Sequence, residues 1–369
     1  MCWKKSNIWD GSFISRVHDS NRLAHAYIFL GQDQQKKYWT AQSLAKRLFC
    51  KSKQDDYCDI CQSCRQIEKG VHQDIFILRP FGAARVIKIE TVRRLQSFLS
   101  LKSVDGSKKI GIIIDADRMR PDAANAMLKT IEEPPDNSLI ILISDDIEKI
   151  LSTIVSRCQQ IYFPVSPREV IVEFLINEYE FDKSKSEMIA DISRGNFTYA
   201  IRYSDNERRE WRDCVLDSVF DLFDEKHEFL SLADEFESKI SNLAKKAVLN
   251  DPRYTSADPS DDDDLDEKEK KAIEKSLYNE EVSDFFQFLE SLCRDIIVFK
   301  ETETESQLIN LDKCEKIKKV AYKYDFDTLN EIQCDIQKAY EGFKGNTALE
   351  FVLEILFERI QRRIGVYSK

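Results

Sequence analysis

The chain has 369 residues, 42% of them hydrophobic and 33% charged, and carries a net charge of −11. That is enough for two or three domains with substantial cores, and it excludes disordered, collagen-like and disulfide-scaffold classes. The longest apolar runs, residues 110–114 and 139–143, are strand-sized and far short of a bilayer span. The N-terminus shows no apolar signal region, so a soluble cytoplasmic protein is expected.

Residues 1–164 alternate short apolar runs with helical patterns. Five strands are predicted: Ala26–Leu30, Ile75–Arg79, Ile110–Ile114, Leu139–Ile143 and Gln160–Phe163. Their apolar continuity fits strands covered on both faces, hence a parallel α/β sheet with helices on either side. Residues Ala123 to Glu133 favour a helix, which Pro134-Pro135 would end. Ser166-Pro167-Arg168-Glu169 then reads as a helix start, with Ser166 as cap, Pro167 at the first helical position and Glu169 closing a capping box. From there only helices are predicted. Residues 165–204 form a small unit and residues 205–369 a larger all-α domain, with clear apolar spacing in Phe285–Phe299 and Ala348–Ile360. An acidic stretch, Asp258 to Glu267, opposes packing and marks an expected disordered loop of about 252–272. Charge is uneven. Residues 1–164 hold 25 Lys/Arg against 19 Asp/Glu, a net of +6, and the remainder nets −17. A basic front half is compatible with a nucleotide or nucleic acid nearby, although scattered solvated charge is the simpler account.

Between the first strand and the next helix runs Gly31-Gln-Asp-Gln-Gln-Lys36-Lys37-Tyr38. A working phosphate-binding loop reads G-x-x-x-x-G-K-[ST]. Gly31 and Lys37 keep the pattern. Lys36 stands where the backbone needs glycine to approach phosphate, and Tyr38 stands where a small hydroxyl binds magnesium. The third strand ends in Asp115, the place where P-loop NTPases hold magnesium, although a strand-end carboxylate can equally cap the next turn. The following position, where an active site of this type needs a glutamate to activate water, is Ala116. Gly31, Lys37 and Asp115 thus outline a vestigial nucleotide site, expected to bind nucleotide weakly or not at all.

Cys50, Cys58, Cys61 and Cys64 follow the spacing C-x7-C-x2-C-x2-C. Thiolates with this spacing favour a tetrahedral zinc, and four sulfur ligands leave no position for water, so the site reads as structural. An iron–sulfur cluster is the minor alternative. The other six cysteines are dispersed and read as space-filling.

Several stretches together resemble the delta-prime family of bacterial DNA polymerase III clamp-loader subunits, within the AAA+ group. These are Asn21-Arg22-Leu23-Ala24-His25-Ala26-Tyr27, the four-cysteine insertion, Gly70-Val71-His72-Gln73-Asp74, Ala123 to Pro135, and Thr153 to Cys158. The resemblance is strong over about residues 10–205 and architectural beyond, where Gly345 to Leu353 looks like a family helix. It implies an AAA+ α/β domain over 1–164 with a zinc module at 50–64, a helical lid over 165–204, and a helical collar over 205–369 that builds a hetero-oligomer. It implies that Arg157 is an arginine finger serving a neighbouring subunit. Thr198 falls where active relatives place a nucleotide-sensing arginine, and Ser144 falls where a polar sensor sits or merely caps its strand. The implied role is a non-catalytic stator that does not hydrolyse ATP itself. Its implied partners are clamp-loader ATPase subunits, a delta-type clamp-opening subunit, the sliding clamp and primer–template DNA. Two other readings are an ATP-binding motor subunit of the same loader and a zinc-ribbon nucleic-acid adaptor.

Overall fold

A computed structural model describes residues 23–52, 57–80, 85–103, 108–224, 229–250 and 267–365. The first part runs β1 (Ala26–Leu30), α1 (Gln34–Phe49), α2 (Gln62–Glu68), β2 (Ile75–Leu78), α3 (Ile89–Ser100), β3 (Lys109–Ile113), α4 (Pro121–Glu132), β4 (Ser138–Ser144), α5 (Ser152–Val155) and β5 (Gln159–Tyr162). Every strand lies within one residue of its predicted bounds. All pairings are parallel, in the order β2-β3-β4-β1-β5. One face packs Tyr27, Phe29, Ile112 and Ile141 against Ala41, Leu44 and Phe49 of α1. The other packs Ile28, Ile113 and Leu142 against Leu95 of α3 and Met127 of α4. Coverage on both faces holds fully for β1, β3 and β4; β5 is an edge strand and largely exposed.

Register puts the strand ends at one level. Leu30 lies opposite Ser144 and Ile113 opposite Leu142, so Gly31, Asp115 and Ser144 leave the sheet side by side. This carboxyl edge is where open parallel sheets hold ligands.

Next come α6 (Arg168–Tyr179), α7 (Lys183–Ser193) and α8 (Phe197–Arg202). The predicted capping box does not form. Pro167 is the N-cap, no side chain caps α6, and the buried Ser166 hydroxyl is taken by Lys36 Nζ at 2.9 Å. The remainder is α9 (Asn206–Phe223), α10 (Phe229–Asn250), α11 (Glu267–Thr302), α12 (Cys314–Lys323), α13 (Phe326–Lys344) and α14 (Leu349–Arg363). Helix α11 begins at Glu267, inside the expected acidic loop. The sequence there, Glu-Lys-Glu-Lys-Lys-Ala, is made of good helix formers. Positions 252–266 of that loop lie outside the described residues.

By contacts the chain divides into two compact units. One spans residues up to 186 together with 193–201; the other spans 187–192 and everything from 202 onward. Within the second unit, Phe236 stacks edge-on with Trp211, Phe285 and Phe357 at 5.2–5.9 Å, tying four helices together. Among the described residues, no helix is long and apolar enough to cross a membrane.

Candidate functional site

The N-terminus of α1 points its free backbone N–H groups at the loop after β1, which makes it a natural seat for a phosphate. Here a protein carboxylate sits in it. Asp33 is the N-cap of α1, is 1% exposed, and accepts from Lys36 N at 3.1 Å. That same oxygen, Oδ1, accepts from Thr198 Oγ1 at 3.2 Å, and Oδ2 accepts from Phe197 N at 2.6 Å. Thr198 Oγ1 also accepts from Gln35 N at 3.1 Å, and Asn196 Nδ2 reaches Gln32 O at 3.2 Å. The start of α8 is thereby bonded directly to the start of α1. Two glycines permit the close approach. A Cβ on Gly31 (φ +133) would lie 2.3 Å from Phe163 O, and one on Gly195 (φ +78) would lie 2.4 Å from Ser166 O.

The lysine of the motif is equally occupied. Lys37 Nζ is fully buried and donates to Gly31 O, to Ser144 O at 2.8 Å and to the Asp145 carboxylate. An ammonium has three donors, and all three are used. Lys36 runs the opposite way, to Pro164 O and Ser166 Oγ, both at 2.9 Å. Burial pushes its ammonium pKa down, against the pull of Asp33. Tyr38 is turned away from the loop. Its hydroxyl accepts from Gln42 Nε2 at 3.3 Å, the Arg79 guanidinium lies over its ring, and burial raises its pKa.

Asp115, in the left-handed region at φ +52, accepts from Gln34 Nε2 and from Arg85 at 3.2 Å. Burial raises its carboxyl pKa, against the pull of Arg85 and Arg118. Ala116 is buried in the sheet core. Asp117 accepts from Ser144 Oγ at 2.9 Å. That hydroxyl also accepts from Asp146 N at 3.1 Å, so Ser144 caps its own strand end.

Asp33→Ala is expected to lower stability by about 2–4 kcal/mol, since it removes a helix cap and leaves the Phe197 N–H buried without an acceptor. Equilibrium urea unfolding measures this, and a change under about 0.5 kcal/mol would mean that Asp33 does not hold α8 in place.

Arg157 sits apart from this cluster, just before β5. Its side chain is 42% exposed, and its guanidinium pairs with Glu132 at 2.8 Å and donates to Thr153 O at 3.0 Å. The neighbouring Cys158 is buried, and desolvation pushes its thiol pKa up to about 12, so it is inert packing.

The four predicted cysteine ligands converge. The sulfurs of Cys50, Cys58, Cys61 and Cys64 all lie within 4.8 Å of one another. Cys58 N approaches Cys50 Sγ, Cys61 N approaches Cys58 Sγ, and Cys64 N approaches Cys61 Sγ, at 3.4–3.5 Å. Backbone donors on sulfur suit thiolates. Burial opposes ionisation of Cys61, yet the donors around it bring its pKa down to about 6. Four thiols converging this way fit a tetrahedral metal. The cluster is braced on α1 by Lys46, which pairs with Asp59 at 2.7 Å and with Glu68, and by Ser43 against Tyr57 at 3.2 Å. His72 is not part of it; its ring stacks on Phe49 at 4.5 Å and its Nδ1 accepts from Asp74 N.

Residues 11–167 match the family described as DNA polymerase III, delta subunit, and residues 271–360 match the one described as DNA polymerase III, delta subunit, C terminal. DNA polymerase III subunit delta' of Bacillus subtilis is 29% identical over 240 residues, covering 63% of this chain and 71% of that one. The chain is thus similar to the delta-prime subunits of bacterial DNA polymerase III. The same subunit of Pseudomonas aeruginosa is 28% identical over 236 residues, covering 62% of this chain and 71% of that one. DNA polymerase III subunit tau of Escherichia coli is 30% identical over 190 residues, covering 50% of this chain and 29% of that one.

The residues that fill the start of α1 are ones the phosphate-loop pattern passes over. Asp33 and Gln34 occupy variable positions of the loop pattern, so no template flags them. The available signal was an aspartate at the N-cap position of the helix, a strong local preference.

Proposed function

We propose that this chain is the non-catalytic AAA+ stator of a sliding-clamp loader. One observation carries the reading: the phosphate seat of α1 is filled by the Asp33 carboxylate, with Lys37 spent on protein oxygens. A nucleotide phosphate there would meet an anion and find no free ammonium. In this reading Gly31, Lys37 and Asp115 keep the shape of a nucleotide site without its chemistry. Arg157 reaches the γ-phosphate of a neighbouring ATPase subunit and stabilises the charge that develops in phosphoryl transfer. Guanidinium suits the task because it is planar, permanently charged and able to donate two bonds at once.

Residues 1–164 act as the AAA+ domain, 165–204 as its lid and 205–369 as the oligomerising collar. Two apolar side chains one turn apart on α14, Phe351 and Ile355, are about half exposed and offer a surface for a neighbouring subunit. Cys50, Cys58, Cys61 and Cys64 hold a structural zinc. Clamp and primer–template DNA are met through the assembled loader.

The test is steady-state ATP hydrolysis by the purified chain, alone and reconstituted with clamp-loader ATPase subunits, clamp and primed DNA. The stator reading requires no turnover alone and Arg157-dependent stimulation in the mixture. Turnover by the isolated chain would overturn it. The double substitution Lys36→Gly, Tyr38→Ser restores the loop pattern and is still expected to give no hydrolysis, because Asp33, Ala116 and Thr198 remain. Measurable ATP turnover by that variant would show that a carboxylate other than the one missing at position 116 activates water.

A further inference from the structure

The contacts of Arg157 divide its guanidinium into a held side and a free side. Nη2 donates to Glu132 Oε1 at 2.8 Å, and Nη1 donates to Thr153 O at 3.0 Å with Ser156 Oγ at 3.4 Å. A guanidinium has five N–H donors, so with Nη1 spent on two acceptors, Nε–H and one N–H on Nη2 remain for an outside ligand. The two anchors come from different elements. Thr153 lies in the four-residue α5, close along the chain to Arg157. Glu132 is the last residue of α4, whose Ala123, Ala124, Met127 and Ile131 are buried in the sheet core. Helix α4 ends on Glu133 N donating to Lys129 O at 3.0 Å, and Pro134-Pro135 then stops it. The carboxylate therefore projects from a rigid base.

A pair with both side chains more than 40% exposed contributes little to folding. A carboxylate at a helix C-terminus is also poorly placed against the helix dipole unless a cation accompanies it. Stability therefore gives no reason for Glu132 at this position, whereas orientation does. Arginine has many rotamers, and losing them at the moment of contact costs rate or affinity. A carboxylate that holds one edge of the guanidinium beforehand removes most of that cost and aims the free edge outward.

We propose that Glu132 is a positioning residue for Arg157, fixing the guanidinium in the orientation in which it meets the neighbour's phosphate. This rests on the reading of Arg157 as a trans finger. Glu132 itself touches neither substrate nor the reacting atoms.

The experiment uses the reconstituted loader with clamp and primed DNA, and compares kcat and KM for ATP across Glu132→Ala, Glu132→Gln, Arg157→Ala and the Arg157→Ala, Glu132→Ala double variant. Glu132→Ala is expected to lower kcat by roughly 3- to 10-fold with KM unchanged. Glu132→Gln keeps the shape and an acceptor oxygen and should recover part of the loss. In the Arg157→Ala background, removing Glu132 should change nothing further, because the two act as one unit. If Arg157→Ala is slow while Glu132→Ala turns over like the parent or faster, the positioning role is overturned and the finger stands. A further loss in the double variant means that Glu132 acts elsewhere, which also overturns it. Unchanged turnover by Arg157→Ala removes the finger and this inference together. Should Glu132→Ala fail to assemble, Glu132→Gln and its double variant with Arg157→Ala decide by the same comparisons.

Discussion

Arg157→Ala is expected to slow ATP hydrolysis at the adjoining subunit by about 10³- to 10⁵-fold, the range that trans arginines supply in phosphoryl transfer. The measurement is single-turnover hydrolysis in a loader where the adjoining subunit is the only one able to hydrolyse, so that other sites do not mask the loss. Folding and assembly should be untouched. The side chain is 42% exposed and its partner Glu132 is 45% exposed, so losing the pair costs at most about 1 kcal/mol. Arg157→Lys keeps the charge but loses the planar fork, and Lys cannot reproduce two donors in one plane. It should stay much closer to alanine than to arginine. If Lys restores full turnover, a point charge suffices and the bidentate geometry argued for Arg157 is wrong. If alanine leaves single-turnover rates within about threefold of the parent, the finger assignment fails outright.

What made the strands legible was burial on two faces. β1, β3 and β4 are buried at every position, and that favours near-continuous apolar runs such as Ile110–Ile114. The cysteine cluster was legible because its ligands lie close along the chain, at separations that a tight turn converges on one point. The failures share the opposite character. Ser166 reads locally as a helix cap, but Lys36, 130 residues earlier, takes its hydroxyl. Asp33 is legible as a cap of α1, yet its bonds to Phe197 N and Thr198 Oγ1 cross more than 160 positions of sequence. The pairing of Glu132 with Arg157 joins the ends of two elements that sequence order does not place side by side. Charge misled at one point. The acidic run from Asp258 suggested a loop to 272, whereas the helix-favouring Glu267–Ala272 starts α11 despite its charges. Sequence pattern thus exposed the broken motif at positions 36 and 38. What fills the site depended on contacts that only the fold brings together.

The second large effect concerns the metal proposed at the four cysteines. Four thiolates within 4.8 Å of one another repel strongly without a cation between them. The zinc proposed there would therefore couple directly to folding, as it does in isolated zinc-finger peptides with apparent binding energies of about 10–16 kcal/mol. The loss here should be smaller, because Lys46 and Tyr57 still brace the cluster on α1. Cys61→Ser, Cys64→Ser is expected to abolish stoichiometric zinc and to lower stability by about 3–5 kcal/mol. Metal analysis and equilibrium urea unfolding measure the two losses. Ligating thiols must give up their protons, so zinc affinity should fall as pH falls, and chelator-induced unfolding should become easier in the same direction. The same variant separates the two roles open to the cluster. As a structural clip, its loss should leave DNA engagement by an assembled loader intact at a temperature where the variant is folded. As a zinc-ribbon adaptor, it should lose DNA binding while the rest of the chain stays folded. Retained binding with reduced stability keeps the cluster structural, and lost binding without reduced stability would move nucleic-acid recognition onto the cysteine module itself.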